Sequence, residues 1–150
     1  MGLADIIKSH RRIMLDTAPI IHFIEEHQIF SNLTNVIFSL IKSNLNIQAF
    51  SSVITLTEVL TQPMRKSRSD IVDKYKQFLL HSMNFIIYPI DTIVAEKAAQ
   101  LRSQYGIKTP DALQIAVGIE NSGTLFITND QQLKKIEGIE ILVLGDFLIT

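Results

Sequence analysis

Cysteine is absent from this chain. That excludes disulfides and thiolate metal sites and suits a reducing compartment, so a cytoplasmic location is expected. No apolar run approaches the roughly 18 residues that a bilayer span requires, and no membrane association is expected. The longest run, Phe85-Ile86-Ile87-Tyr88-Pro89-Ile90, has the length of a core strand. The opening stretch MGLADIIKSHRR lacks the long apolar centre of a secretory signal. An excess of one charge is missing too, since 14 Lys and Arg face 15 Asp and Glu, for a net charge of −1. This is not the strongly basic footprint of a protein that lives on nucleic-acid backbone, and phosphate contacts would have to use local patches. Repeats, low-complexity tracts and Pro/Gly/Ser-rich linkers are also lacking. With 150 residues, 47% of them hydrophobic, the chain reads as a single domain with a sizeable core.

What is present is an alternation of short β-rich runs and helical segments. Ile13–Leu15, Ile47–Phe50, Phe85–Tyr88, Thr124–Thr128 and Glu140–Leu144 read as strands. Helices are expected over Ala18–Glu26, Asn32–Ser43, Ser52–Gln62 with Pro63 ending it, Ile71–Ser82, a segment capped by Asp91, and Asp111–Asn121. The stretch MRKSRSD, residues 64–70, reads as a polar loop. Such alternation predicts an α/β fold with a mainly parallel sheet covered on both faces, whose ligands sit beyond the carboxyl ends of the strands.

Two acids belong at that edge. Asp16 follows the strand Ile13–Leu15, and Asp130 follows the strand within FITND. Each also precedes a helical segment, where helix capping is a sufficient reason for an Asp. Asp111 lies in KTPDALQIAVGIE, where Thr109 can cap, Pro110 suits the first helical position and an acid in the first turn is favoured by the dipole. The helix that follows is apolar nearly all round and therefore buried, so its first turn is not expected on an open surface. Glu58, in SSVITLTEVL, lies off the Val53, Leu56, Leu60 stripe, and periodicity alone reads it as a solvated helix Glu. Taken together the four suggest another role. Carboxylates brought close resist ionising together, and a hard divalent cation with a preference for oxygen relieves that repulsion.

At these residues the chain resembles the PIN domain family of small metal-dependent ribonucleases, and its VapC-like toxin members in particular. MLDTAPIIHFIEE resembles the family's opening strand with Asp16. FSSVITLTEVLTQP resembles the second motif with Glu58, IKTPDALQIAVGIE the third with Asp111, and LFITNDQQLKKI the fourth with Asp130. Each motif is weak alone; four in order across residues 13–144 are specific. The resemblance implies a three-layer α/β/α domain. It implies that Asp16, Glu58 and Asp111 bind Mg²⁺ or Mn²⁺, with Asp130 completing the catalytic set. Thr17 and Thr128 would support them, although capping explains both almost as well. It further implies hydrolysis of RNA by a metal-activated water, frequently a homodimer, and for toxin members a cognate antitoxin. Residues 1–12 precede the family's usual starting point, and no role is assigned to them.

Arg65, Lys66 and Arg68 form the densest basic cluster, a candidate RNA contact set against the ordinary reading of a solvated loop. The histidines offer little; His22 and His27 are five apart, which on a helix places them on different sides. No GxSxG elbow and no Gly-rich phosphate loop occurs. Two other readings are carried alongside the enzyme. One is a catalytically silent binding module of the same fold. The other is a phospho-receiver-like regulatory domain, disfavoured because a single acid follows the first strand and FSS, with no Asp, follows the second.

Overall fold

A computed structural model describes residues 1–149. Five parallel strands, β1 (Arg12–Leu15), β2 (Gln48–Ser52), β3 (Phe85–Tyr88), β4 (Leu125–Thr128) and β5 (Glu140–Val143), form one sheet in the order β3-β2-β1-β4-β5. From β1 the chain builds outward through β2 and β3, then returns to the other side of β1 for β4 and β5. The switch point of the sheet is therefore between β1 and β4, and the crevice outside their carboxyl ends is where open sheets hold ligands. This order differs from the 2-1-3-4-5 arrangement of receiver-type sheets, which removes the structural basis of the receiver reading.

The central strands β2, β1 and β4 are buried on both faces, the edge strands β3 and β5 only in part, and alternation sorts the side chains. Ile13, Leu15, Ala49, Leu125 and Ile127 face one core. Met14, Phe50 and Phe126 face the other. The first core is covered by α1 (Leu3–Lys8), α2 (Thr17–Ile24), α3 (Ser31–Ser43), α4 (Val53–Arg65) and α5 (Ser69–His81). The second is covered by α6 (Thr92–Tyr105) and α7 (Thr109–Glu120). The expected three-layer arrangement is thus observed. At the base of α7, Gly123 donates its backbone N–H to the Gly118 carbonyl, and a Cβ at Gly123 would stand 2.7 Å from that oxygen.

Residues 1–12, to which the sequence assigned no role, are part of the packed domain: α1 buries Leu3 and Ile7 against the first core and packs on α3. Three local expectations need correction. Pro63 does not end α4, which runs on to Arg65. The proline lacks an N–H only in the last turn, where the missing bond costs the helix little of its length. As a result the polar loop shrinks to residues 66–68, since Ser69 opens α5. Finally, the cap of α7 is Lys108 rather than Thr109, and no side chain caps that end.

Candidate functional site

Each of the four acids is delivered by a different element. Asp16 leaves the end of β1 and caps α2, accepting the Thr17 backbone N–H at 2.9 Å. Its other oxygen accepts the Thr128 hydroxyl at 2.8 Å, which reaches across from the end of β4. Thr128 Oγ1 in turn accepts the Asp130 backbone N–H at 3.1 Å, so one hydroxyl ties the Asp16 carboxylate to the Asp130 backbone. Asp130 accepts the Gln132 N–H at 2.9 Å. The capping reading is therefore correct for Asp16 and Asp130, and it does not exhaust them, because each retains oxygens that a cap does not use.

Glu58 stands on the exposed face of α4 in its second turn, and its Oε1 accepts the Thr17 hydroxyl at 2.6 Å. That contact brings a helix Glu with no periodic signal to the end of β1. Asp111 sits in the first turn of α7 and accepts no side-chain hydrogen bond among the described residues. Burial pushes its carboxyl above the usual range, and the charges of Asp130 and Glu58 push it further; Lys108 works the other way. Asp16 is likewise held up, first by burial and also by Asp111, against the hydrogen bonds from Thr128, Thr17 and Gln114. Asp111 is thus the acid that feels the charge of Asp130 and Glu58 and raises Asp16 in turn.

Beneath the acids lies a buried polar network. Ser51, Ser52, Thr55, Gln114 and Thr128 are all within about one per cent of full burial. Gln114, from α7, donates to Thr55 at 2.7 Å and to Asp16 and Thr17 at 3.3 Å. Its carbonyl oxygen accepts the Ser52 hydroxyl. Sequence patterning missed Gln114, because one amide among apolar neighbours leaves the buried character of α7 intact.

The histidines also differ from expectation. Because α2 ends at Ile24, His27 folds back, and the His22 and His27 rings stand 4.4 Å apart. His22 stacks on Phe30 and contacts the Asn129 amide at 2.7 Å, beside Asp130. Burial and then His27 push the His22 imidazole below its usual range.

Arg65, Lys66 and Arg68 are exposed at the far end of α4. Arg65 lies seven positions beyond Glu58 on the same helix, roughly 10 Å along the axis. Arg68 is engaged by Asp70 at 2.9 Å. The structure therefore does not bring these three cations into contact with the acids.

Chemically, the acids offer a set of hard oxygen donors at mutual electrostatic cost, which suits Mg²⁺ or Mn²⁺ rather than a softer metal. The donors converge without closing: among the described residues no three acidic or histidine side chains are grouped tightly enough to hold an ion between them.

The sequence profile of the PIN domain matches residues 13–139, the stretch that carries all four acids. The chain belongs to the PIN domain family. No curated protein matches it closely enough to serve as a relative. Solved structures do resemble it in fold. The VapBC2 complex from Rickettsia felis, bound to a promoter DNA fragment, aligns with a TM-score of 0.70 at 20% identity, over 88% of this chain and 98% of that one. DNA-bound VapBC from Salmonella typhimurium aligns at 0.69 with 19% identity, over 89% and 98%. A toxin–antitoxin complex from Klebsiella pneumoniae aligns at 0.65 with 20% identity, over 88% and 97%. PIN domains are generally nucleases that use divalent metal ions. Among the described residues no helix is long and apolar enough to cross a membrane.

Proposed function

We propose that this PIN domain is an endoribonuclease dependent on Mg²⁺ or Mn²⁺, and the toxin of a toxin–antitoxin pair. The observation that carries the reading is a hydrogen-bonded convergence at the switch-point crevice: the Thr17 hydroxyl joins Glu58 to the end of β1, and the Thr128 hydroxyl joins the Asp16 carboxylate to the Asp130 backbone, beside the raised carboxyl of Asp111. Evolving a fold that drives carboxylates together has a stability cost, and a cation at their centre is the plain physical reason to bear it.

In this reading Asp16, Glu58 and Asp111 hold the ion, and Asp130 completes the site. A Mg²⁺ or Mn²⁺ bound there would supply an activated water and neutralise charge on the phosphoryl group. Thr17 and Thr128 keep the Glu58 and Asp16 oxygens aimed at the crevice. Arg65 and Lys66 are the candidate contacts for RNA phosphates beyond it.

The partner reading rests on the toxin–antitoxin complexes that share the fold. It is supported by an apolar groove of about 520 Å³ lined by Phe23, Phe38, Ile41, Phe78 and Phe85. At its rim Leu45 and Met83 are 81% and 87% exposed. An apolar surface of this kind marks an interaction site.

The incomplete closure of the carboxylates favours one competing reading, the silent binding module. Cleavage of total RNA separates the two. With Mg²⁺ or Mn²⁺ we expect discrete products that vanish in EDTA. Asp111→Asn should lose more than about 10²-fold in rate while staying folded, since even the partners of metal ligands are worth 10–100-fold. Equal cleavage by Asp111→Asn, or no cleavage with either metal, would overturn the ribonuclease.

A further inference from the structure

Gln114 is a fully buried polar side chain on a helix that is otherwise almost entirely apolar, and it lies one helical turn beyond Asp111 on the same face. Burying an amide costs free energy unless its donors and acceptor are matched. Here they are matched by residues of two other motifs. The Ser52 hydroxyl donates to Oε1. One Nε2 hydrogen goes to Thr55 at 2.7 Å, and the other is shared between Asp16 and Thr17, both at 3.3 Å. The opposite orientation of the amide would set its oxygen against the Asp16 carboxylate, so the carboxylate itself fixes which way the amide points.

We propose that Gln114 is the positioning residue of the site: its amide holds the Asp16 carboxylate and the Thr17 hydroxyl, and through Thr17 the Glu58 carboxylate, in a fixed array beside Asp111. This rests on the ribonuclease reading and adds a residue to it. A neutral donor suits the task. It favours the ionised form of Asp16 without bringing a positive charge that would compete with a divalent cation. A Lys or Arg at the same place would neutralise Asp16, and a Leu would leave Asp16, Thr17 and Thr55 short of a donor. Gln114 is buried and cannot touch RNA, so it acts only through the groups it holds.

The test compares wild type, Asp111→Asn, Gln114→Met and Gln114→Asn. Gln114→Met keeps the length and removes every hydrogen bond. Gln114→Asn keeps the amide and withdraws it by about one C–C bond, roughly 1.5 Å. Thermal unfolding establishes that each variant is folded. Mn²⁺ affinity is measured by titration calorimetry without RNA, and kcat and KM are measured separately on a defined RNA.

We expect Gln114→Met to weaken Mn²⁺ binding by about 10-fold or more, as loss of an outer partner does. Its kcat should fall by a similar factor, with KM unchanged within about twofold. Gln114→Asn should fall between it and wild type, and it decides the matter if Gln114→Met does not fold. Folded Gln114 variants with wild-type Mn²⁺ affinity and kcat would overturn the proposal and leave the ribonuclease standing. A rise in KM alone would overturn it too. If wild type neither binds Mn²⁺ nor cuts RNA, the underlying reading falls and this proposal falls with it.

Discussion

Asp111 shows what the site costs at the scale of a residue. Its carboxyl is raised above the usual range by burial, then by Asp130 and Glu58. A raised carboxylate pKa means that the folded state binds more protons than the unfolded one between the two pKa values, so stability falls as pH rises through that window. Above that window the folded protein carries the full penalty; well below the unfolded pKa it carries none. Asp111→Asn removes the charge. We therefore expect it to raise Tm at pH 7 by a few degrees and to leave Tm unchanged near pH 3, measured by thermal unfolding without added metal. A lower Tm at pH 7 would make Asp111 a structural residue. Asp16 and Asp130 were legible in the sequence because a parallel sheet delivers its strand ends to one edge. Gln114 was not, and periodicity did not select Glu58, which only the motif resemblance singled out. Glu58 reaches the site by a single hydroxyl, that of Thr17, and no pattern along α4 reports a partner 41 positions away. Gln114 interrupts an apolar helix once, which leaves no period to read.

Elements were legible where they were long or sharply punctuated, and illegible where tertiary packing overrode local signals. The five strands and the helices between them follow from hydrophobic runs of the right length. α1 has only six residues, too short to hold on propensity alone, and it exists because Leu3 and Ile7 find the first core. Pro63 is buried inside α4 and the helix continues past it, so punctuation by proline misplaced that boundary by three residues, from Gln62 to Arg65. The His22 and His27 reading failed because the helix between them stops at Ile24. From α1 comes an element-scale expectation. Ile7 is fully buried, and Ile7→Ala should cost about 2–4 kcal/mol in denaturant unfolding. Per-molecule cleavage by the folded variant should stay at the wild-type level, because α1 packs on α3 and contributes no acid to the crevice. A cost below about 0.5 kcal/mol would show that residues 1–12 are an appendage after all.

For the whole molecule the ribonuclease proposal raises the question of how a chain of net charge −1, with four acids at the proposed site, would admit a polyanion. The carboxylates repel RNA until a cation shields them, so attraction has to come from elsewhere on the surface. Arg65 and Lys66 are exposed and form no ion pair among the described residues, whereas Arg68 is spent on Asp70. They ride at the tip of the α4–α5 pair, roughly 10 Å beyond Glu58 along the helix. Each phosphate contact with single-stranded RNA adds about 0.7 to the slope of log affinity against log salt. With two such cations the slope should be shallow, about 1.4, and RNA binding should be weak at physiological salt. The double variant Arg65→Ala/Lys66→Ala should lose most of that slope and raise KM without touching Mn²⁺ affinity. Arg68→Ala should change the slope little, because its guanidinium already has a carboxylate partner. A fluorescence-anisotropy titration of a short RNA on the Asp111→Asn protein with and without these changes, repeated across salt concentrations, measures the slopes; KM and Mn²⁺ affinity are measured on the protein with Asp111 intact. If the double variant keeps the wild-type slope, the phosphates are read by another surface and the α4–α5 loop is only a solvated turn.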